Sequence, residues 1–232
     1  ITIKAKWSAN SYTITFDTDG GTSIPVITQA FGTTVTAPAD PVKTGYTFVR
    51  WDIKIPATMP ASNITLTALW KVNTYTITFD SVGGSACASV PFAFGAAIKS
   101  DSLPKPTRDG YSFDGWKEVP STMPANDLTL TALWKVNTYT LSFDSDGGSA
   151  CDQMTFEFGA AIKSDSLPKP TRDGYSFDGW KEVPSTMPAN DLTLTALWKV
   201  NTYTITFDTD GGTSIPVITQ AFGTPVTAPA DP

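Results

Sequence analysis

The chain has 232 residues, a net charge of −6 and a pI near 4.5. It is 41% hydrophobic and 12% aromatic, enough to form packed cores, and only 16% charged, which excludes a disordered chain. The acid balance without a basic cluster argues against nucleic acid or anionic membrane as a partner, and no apolar run reaches the ~18 residues of a membrane span.

Tryptophans set the frame: Trp7, Trp70, Trp134 and Trp198 stand 63, 64 and 64 residues apart. Tyr12, Tyr75, Tyr139 and Tyr203 keep the same spacing, as do the pairs Gly20-Gly21, Gly83-Gly84, Gly147-Gly148 and Gly211-Gly212. Phe94–Thr140 is identical to Phe158–Thr204. Tyr12–Pro41 recurs as Tyr203–Pro232 with one change, Thr34 against Pro225. A fixed period of this length is the mark of a repeat protein. We divide the chain into 1–10, the tail of a preceding module; 11–73, 74–137 and 138–201, three whole modules; and 202–232, the first half of a fourth.

Within the second module, Tyr75-Thr-Ile-Thr-Phe79 alternates apolar and polar residues and predicts a strand with Tyr75, Ile77 and Phe79 inward. Asp80-Ser-Val-Gly-Gly84 supplies turn chemistry. Val90, Phe92 and Phe94 alternate again until Gly95 interrupts them; the first module has Gln29 in place of Phe92. Pro104 and Pro106 limit the next stretch to a helical turn around Asp101–Leu103. Tyr111-Ser-Phe113 opens a third strand, and Asp114-Gly115 predicts a bulge before Trp116. Leu128, Leu130, Ala132 and Trp134 share one face of a fourth strand. The expected class is mainly β: four-stranded modules of about 64 residues, end to end. Only Lys135–Thr138 separates one module from the next, so neighbours should be closely coupled.

These motifs are similar to those of the Listeria–Bacteroides repeat, or internalin B-repeat, family. The first module reads YTITFDTDGG from Tyr12, FG at Phe31, GYTFVRW from Gly45 and TLTALW from Thr65; the next two read GYSFDGW from Gly110 and Gly174. The resemblance implies a small β-grasp-like fold and a place in bacterial surface proteins as stalks or adhesive regions. It brings no catalytic residues.

Candidate chemistry is sparse. The sequence has no His, which removes the commonest general base and metal ligand. Asp17/Asp19, Asp144/Asp146 and Asp208/Asp210 carry an Asp-x-Asp-Gly pattern that begins some calcium loops. Each lacks the distal Glu, so a tight turn closed by Asp side chains is the favoured reading, with no cofactor. Cys87 and Cys151 occupy equivalent places and, on modules set end to end, are expected on the order of 30 Å apart, too far for a disulfide. Each reads first as a partly buried small hydrophobe; contact and cross-linking between parallel chains is the sharper candidate role if the array forms a fibre. Trp116 and Trp180, beyond the expected bulge, are the candidates for exposure and for contact with a sugar or another chain. The functional expectation is non-enzymatic: an extracellular, cell-surface stalk or adhesin region giving length, stiffness and multivalent display. The alternatives are a subunit of an extracellular filament and a set of carbohydrate- or protein-binding modules. Expected partners are neighbouring repeats, then copies of the chain or a surface ligand.

Overall fold

The computed structural model describes residues 1–230 of the chain, so the last two residues of the expected half module 202–232 lie outside the described part. By contact the chain divides into two units, Ile1–Pro106 with Gly115–Leu133, and Thr107–Asp114 with Trp134–Pro232. In each, the regular structure is strand apart from one 3-10 turn.

The first unit opens with a four-stranded sheet. β1 (Ser11–Asp17), β2 (Ile27–Ala30), β3 (Tyr46–Trp51) and β4 (Ile64–Val72) lie in the order β2-β1-β4-β3. The central pair, β1 and β4, is parallel from Ile14↔Ile64 to Asp17↔Thr67; β2 and β3 flank it antiparallel. Alternation decides what is buried. Ile14 and Phe16 of β1, Leu66 and Ala68 of β4 and Trp51 of β3 close one core with Val35 and Met59 from the connecting loops. Their Thr neighbours turn to the other face, as the period of two requires.

The next sheet has the same order, with β5 (Thr74–Asp80), β6 (Val90–Ala93), β7 (Tyr111–Trp116) and β8 (Leu128–Val136) as β6-β5-β8-β7. The first unit holds its buried residues Ile77, Ile98, Leu103, Trp116, Met123 and Leu130. The expected helical turn is a 3-10 turn at Ser100–Ser102, held short by the prolines that follow.

The second unit repeats the plan with β9 (Thr138–Asp144), β10 (Met154–Glu157), β11 (Tyr175–Trp180) and β12 (Leu192–Val200), ordered β10-β9-β12-β11. Its core joins Leu141, Ile162, Leu167, Trp180, Met187, Leu194 and Ala196. β13 (Thr202–Ile205) and β14 (Ile218–Ala221) form a two-stranded sheet after it. The two clusters draw on separate stretches of chain.

One expectation is overturned. Trp116 and Trp180 are not exposed: they keep 7% and 8% of their surface. The bulge itself is the reason. Phe177 and Trp180 are three residues apart and would face opposite sides of a regular strand. The register shift between Phe177 and Gly179 absorbs the extra residue and returns Trp180 to the core, opposite Ala196. The two rings then pack edge-on, 5.3 Å apart. With the indoles buried, neither tryptophan offers a contact surface.

The glycine pair after β1 answers two separate needs. Gly20 takes φ +82°, a conformation that side chains resist. Gly21 lies under Trp70, whose ring a Cβ there would meet at 2.7 Å. The indole Nε1 donates to the Thr18 carbonyl at 3.1 Å, fixing the turn against the end of β4.

The residue before the first glycine also has positive φ: 45° at Asp19, 46° at Asp146, 44° at Asp210 and 47° at Val82. Asp tolerates this region, whereas a β-branched side chain is strained in it. Val82→Asn should therefore stabilise the second module by about 1 kcal/mol. Hydrogen exchange of the β5 amides under rising urea measures this, and unchanged or weaker protection would dismiss the strain.

Candidate functional site: the junction between modules

Among the described residues, the arrangement that recurs most faithfully is the join between one module and the next. In the first unit it begins where β4 ends. Asn73 is the one residue between β4 and β5. Its N–H donates to the Gly45 carbonyl at 2.9 Å, and its own carbonyl accepts the Phe94 N–H at 2.9 Å. Its side-chain Oδ1 accepts the Thr47 hydroxyl at 2.6 Å. One asparagine thereby ties the start of β3 in one module to the end of β6 in the next.

The Phe94 ring lies directly over Gly45, where any Cβ would overlap the ring, and Gly45 has φ +78°. Both the conformation and the space demand glycine. Tyr46 receives the same ring edge-on, with centroids 5.7 Å apart at 79°. Gly45 and Tyr46 are a socket and Phe94 the knob that fills it.

The second unit carries this join twice. Phe158 covers Gly110 and meets Tyr111 at 5.7 Å, with Asn137 between them making the same two backbone bonds. Phe222 covers Gly174 and meets Tyr175 at 6.0 Å, with Asn201 as the tie.

Behind each socket a cation is held between two rings. Lys43 Nζ lies 4.6 Å from the Tyr46 centroid and 5.7 Å from that of Trp70. The Arg172 guanidinium lies 4.2 Å from Tyr175 and 5.9 Å from Trp198. Arg108 stands 3.9 Å over Tyr111 and 5.9 Å from Trp134. Each cation contributes modestly at such sites, roughly 0.5–1 kcal/mol. The tyrosine links it to the knob of the following module.

The sequence model of the Listeria-Bacteroides repeat domain matches residues 12–69, 75–133, 139–197 and 203–232. The chain belongs to this family. A putative Gly-rich membrane protein of Evansella cellulosilytica is 30% identical over the whole chain, which covers 29% of that relative. A putative membrane protein of the same organism is 32% identical over 73% of the chain and 28% of its own length. Internalin H of Listeria monocytogenes is 31% identical over 55% of the chain and 25% of its own length. The chain thus spans less than a third of the length of each of these relatives.

In these Listeria–Bacteroides modules the acidic turns are occupied by protein groups. Asp17 Oδ1 accepts the Asp19 N–H at 3.0 Å, and Asp144 and Asp208 do the same for Asp146 and Asp210. Asp19 then pairs with Lys43 at 3.2 Å, and Asp146 with Arg172 at 3.6 Å. The first carboxylate closes the turn and the second steadies the stacked cation. Among the described residues, no cluster of three or more acidic, Cys or His groups is placed to hold a metal.

Cys87 and Cys151 are both free and half-buried, each thiol pointing back to a serine carbonyl of its own turn. Cys151 packs against the core of its module. Burial, and then the charge of Asp152, push its thiol pKa above the ordinary value.

The knob, the socket glycine and the asparagine tie were visible in the sequence only as repeating letters. Phe94 reads as one more inward position of a strand, yet it lies beyond β6 and faces the neighbouring module. The buried methionines Met59, Met123 and Met187 lie between strands, where alternation gives no signal.

Two outcomes follow. Phe94→Ala and Gly45→Ala should each loosen the join, and their combined effect should fall short of the sum by roughly 0.5–3 kcal/mol, as contacting residues do. A double-mutant cycle by urea unfolding measures this, and strict additivity would separate the two residues. Cys151 should react with a thiol reagent faster in urea than when folded, its folded reactivity profile moved to higher pH; equal rates would contradict the burial.

Proposed function

We propose that this chain is a length of a non-enzymatic cell-surface stalk or adhesin region, in which repetition provides reach, stiffness and multivalent display. The observation that carries this reading is the join repeated at Phe94, Phe158 and Phe222. In each case one residue separates the last strand of one module from the first of the next: Asn73, Asn137 or Asn201. That residue has its backbone N–H and C=O bonded across the join. Such a link has no slack, which is what the proposed reach and stiffness require.

The reading of a surface location draws on family membership and on relatives named as membrane proteins and an internalin. No helix among the described residues is long and apolar enough to cross a membrane. Catalysis is not part of the proposal: the sequence has no histidine, and Asp17 and Asp144 close turns. Aromatic sugar platforms lose support as well, since Trp51, Trp116 and Trp180 fill cores. Adhesion, where these modules take part in it, would act through other residues and through the avidity of many copies.

Small-angle scattering on chains of two, four and eight modules tests the stalk. The maximum dimension should rise in proportion to module number. A rise that flattens toward the cube root of mass would mean that the modules fold back on one another, and the stalk reading would fall.

A further inference from the structure

We infer that each whole module is a shear clamp, a unit built to resist tension applied along the chain, with the parallel β1–β4 pairing as the element that bears load. The inference goes beyond the stalk reading, because it concerns what a module does under force rather than where it is displayed.

The chain enters and leaves each whole module on strands that lie side by side. In the first module it enters at Ser11, the start of β1, and leaves at Val72, the end of β4. These two strands are parallel neighbours, paired at Ile14↔Ile64, Thr15↔Thr65, Phe16↔Leu66 and Asp17↔Thr67. Ser11 lies before the paired stretch and Val72 beyond it. Tension between the two ends therefore draws β1 and β4 past each other along their own axes. The ladder bonds run across that direction, and all must yield together. An antiparallel hairpin opened at its free end yields one bond at a time.

The other whole modules keep the same register. The pairing runs from Ile77↔Leu128 to Asp80↔Thr131 in the second and from Leu141↔Leu192 to Asp144↔Thr195 in the third. The short outer strands β2 and β3 take no direct part in the load path.

Side chains add bonds at the margins of the ladder. At the near end, the Thr13 N–H donates to Asn63 Oδ1 at 2.9 Å, Thr76 to Asp127 at 2.7 Å and Thr140 to Asp191 at 2.7 Å. Each joins β1, or its equivalent, to the residue just before the strand parallel to it. At the far end, Trp70 Nε1 donates to the Thr18 carbonyl at 3.1 Å, and Trp198 to that of Ser145 at 3.0 Å. The two strands of the clamp are thus tied before and after the ladder by groups some 50 residues apart in sequence. Sliding β4 along β1 breaks these ties along with the ladder, and it drags Leu66 and Ala68 out of the core.

Single-molecule pulling on the same folded chain in two directions tests this. In one arm, handles at the two chain ends load the three whole modules in shear. In the other, handles at the N-terminus and at Thr36→Cys, an exposed position, peel β1 from β2, which are paired at Ser11↔Ala30. Cys87→Ser and Cys151→Ser keep that attachment unique. End-to-end pulling should give ruptures that each lengthen the chain by roughly 180 Å, one module released at a time. Their force should be several-fold above that of the peeling arm at equal loading rate, because forced unfolding follows the barrier along the pulled direction. In the shear arm, Asn63→Ala should lower the first module's rupture force and leave the others unchanged. Equal forces in the two directions would overturn the clamp. That result would leave the scattering test of the stalk untouched, so the two readings can fail separately.

Discussion

Everything in this chain depends on one contact: a phenylalanine ring lying on a bare glycine backbone of the preceding module. Gly45, Gly110 and Gly174 have φ near +78° and no room for a Cβ beneath Phe94, Phe158 and Phe222. No other residue meets both conditions. Because the ring also meets the tyrosine after each glycine, and that tyrosine carries a stacked cation, the join is continuous with the module's own packing. A module of about 64 residues is near the lower limit for folding alone. Packing a ring against the neighbour adds apolar burial that the small core cannot provide by itself.

The same economy governs the turns. The Asp-x-Asp-Gly-Gly segment places one carboxylate on a backbone N–H, a second on a cation and a glycine under an indole. The cation is lysine in the first module and arginine in the next two, and both lie over the same pair of rings. Either suits a ring face, although the planar guanidinium is the better stacking group. What resembles a metal loop in the sequence is, in the folded module, a fastening of the first strand to the last. Parallel pairing of those strands, entered at one end and left at the other, gives the fold its direction.

Much of this could be read from residues alone. The period, the four strands of each module, the short turn before Pro104 and a bulge of the kind found between Phe177 and Gly179 all follow from alternation and from Gly and Pro punctuation. The side on which the bulge left its tryptophan could not be read, since one absorbed residue reverses the face of everything after it. Nor could the strand order, which places first and last strands together although about 50 residues separate them. The role of Phe94 was hidden for the same reason: its partner Gly45 lies in another module, and alternation reports only which face a side chain takes, not what stands opposite.

The claim that the knob-and-socket contact couples neighbours is tested most directly by 15N relaxation across Asn73. If the contact holds as described, amides of β1–β4 and those of β5 and β6 will fit one rotational diffusion tensor, with the Asn73 amide as rigid as the strands on either side. Separate tensors for the two groups, or fast local motion at Asn73, would contradict it and leave the modules as beads on a loose thread.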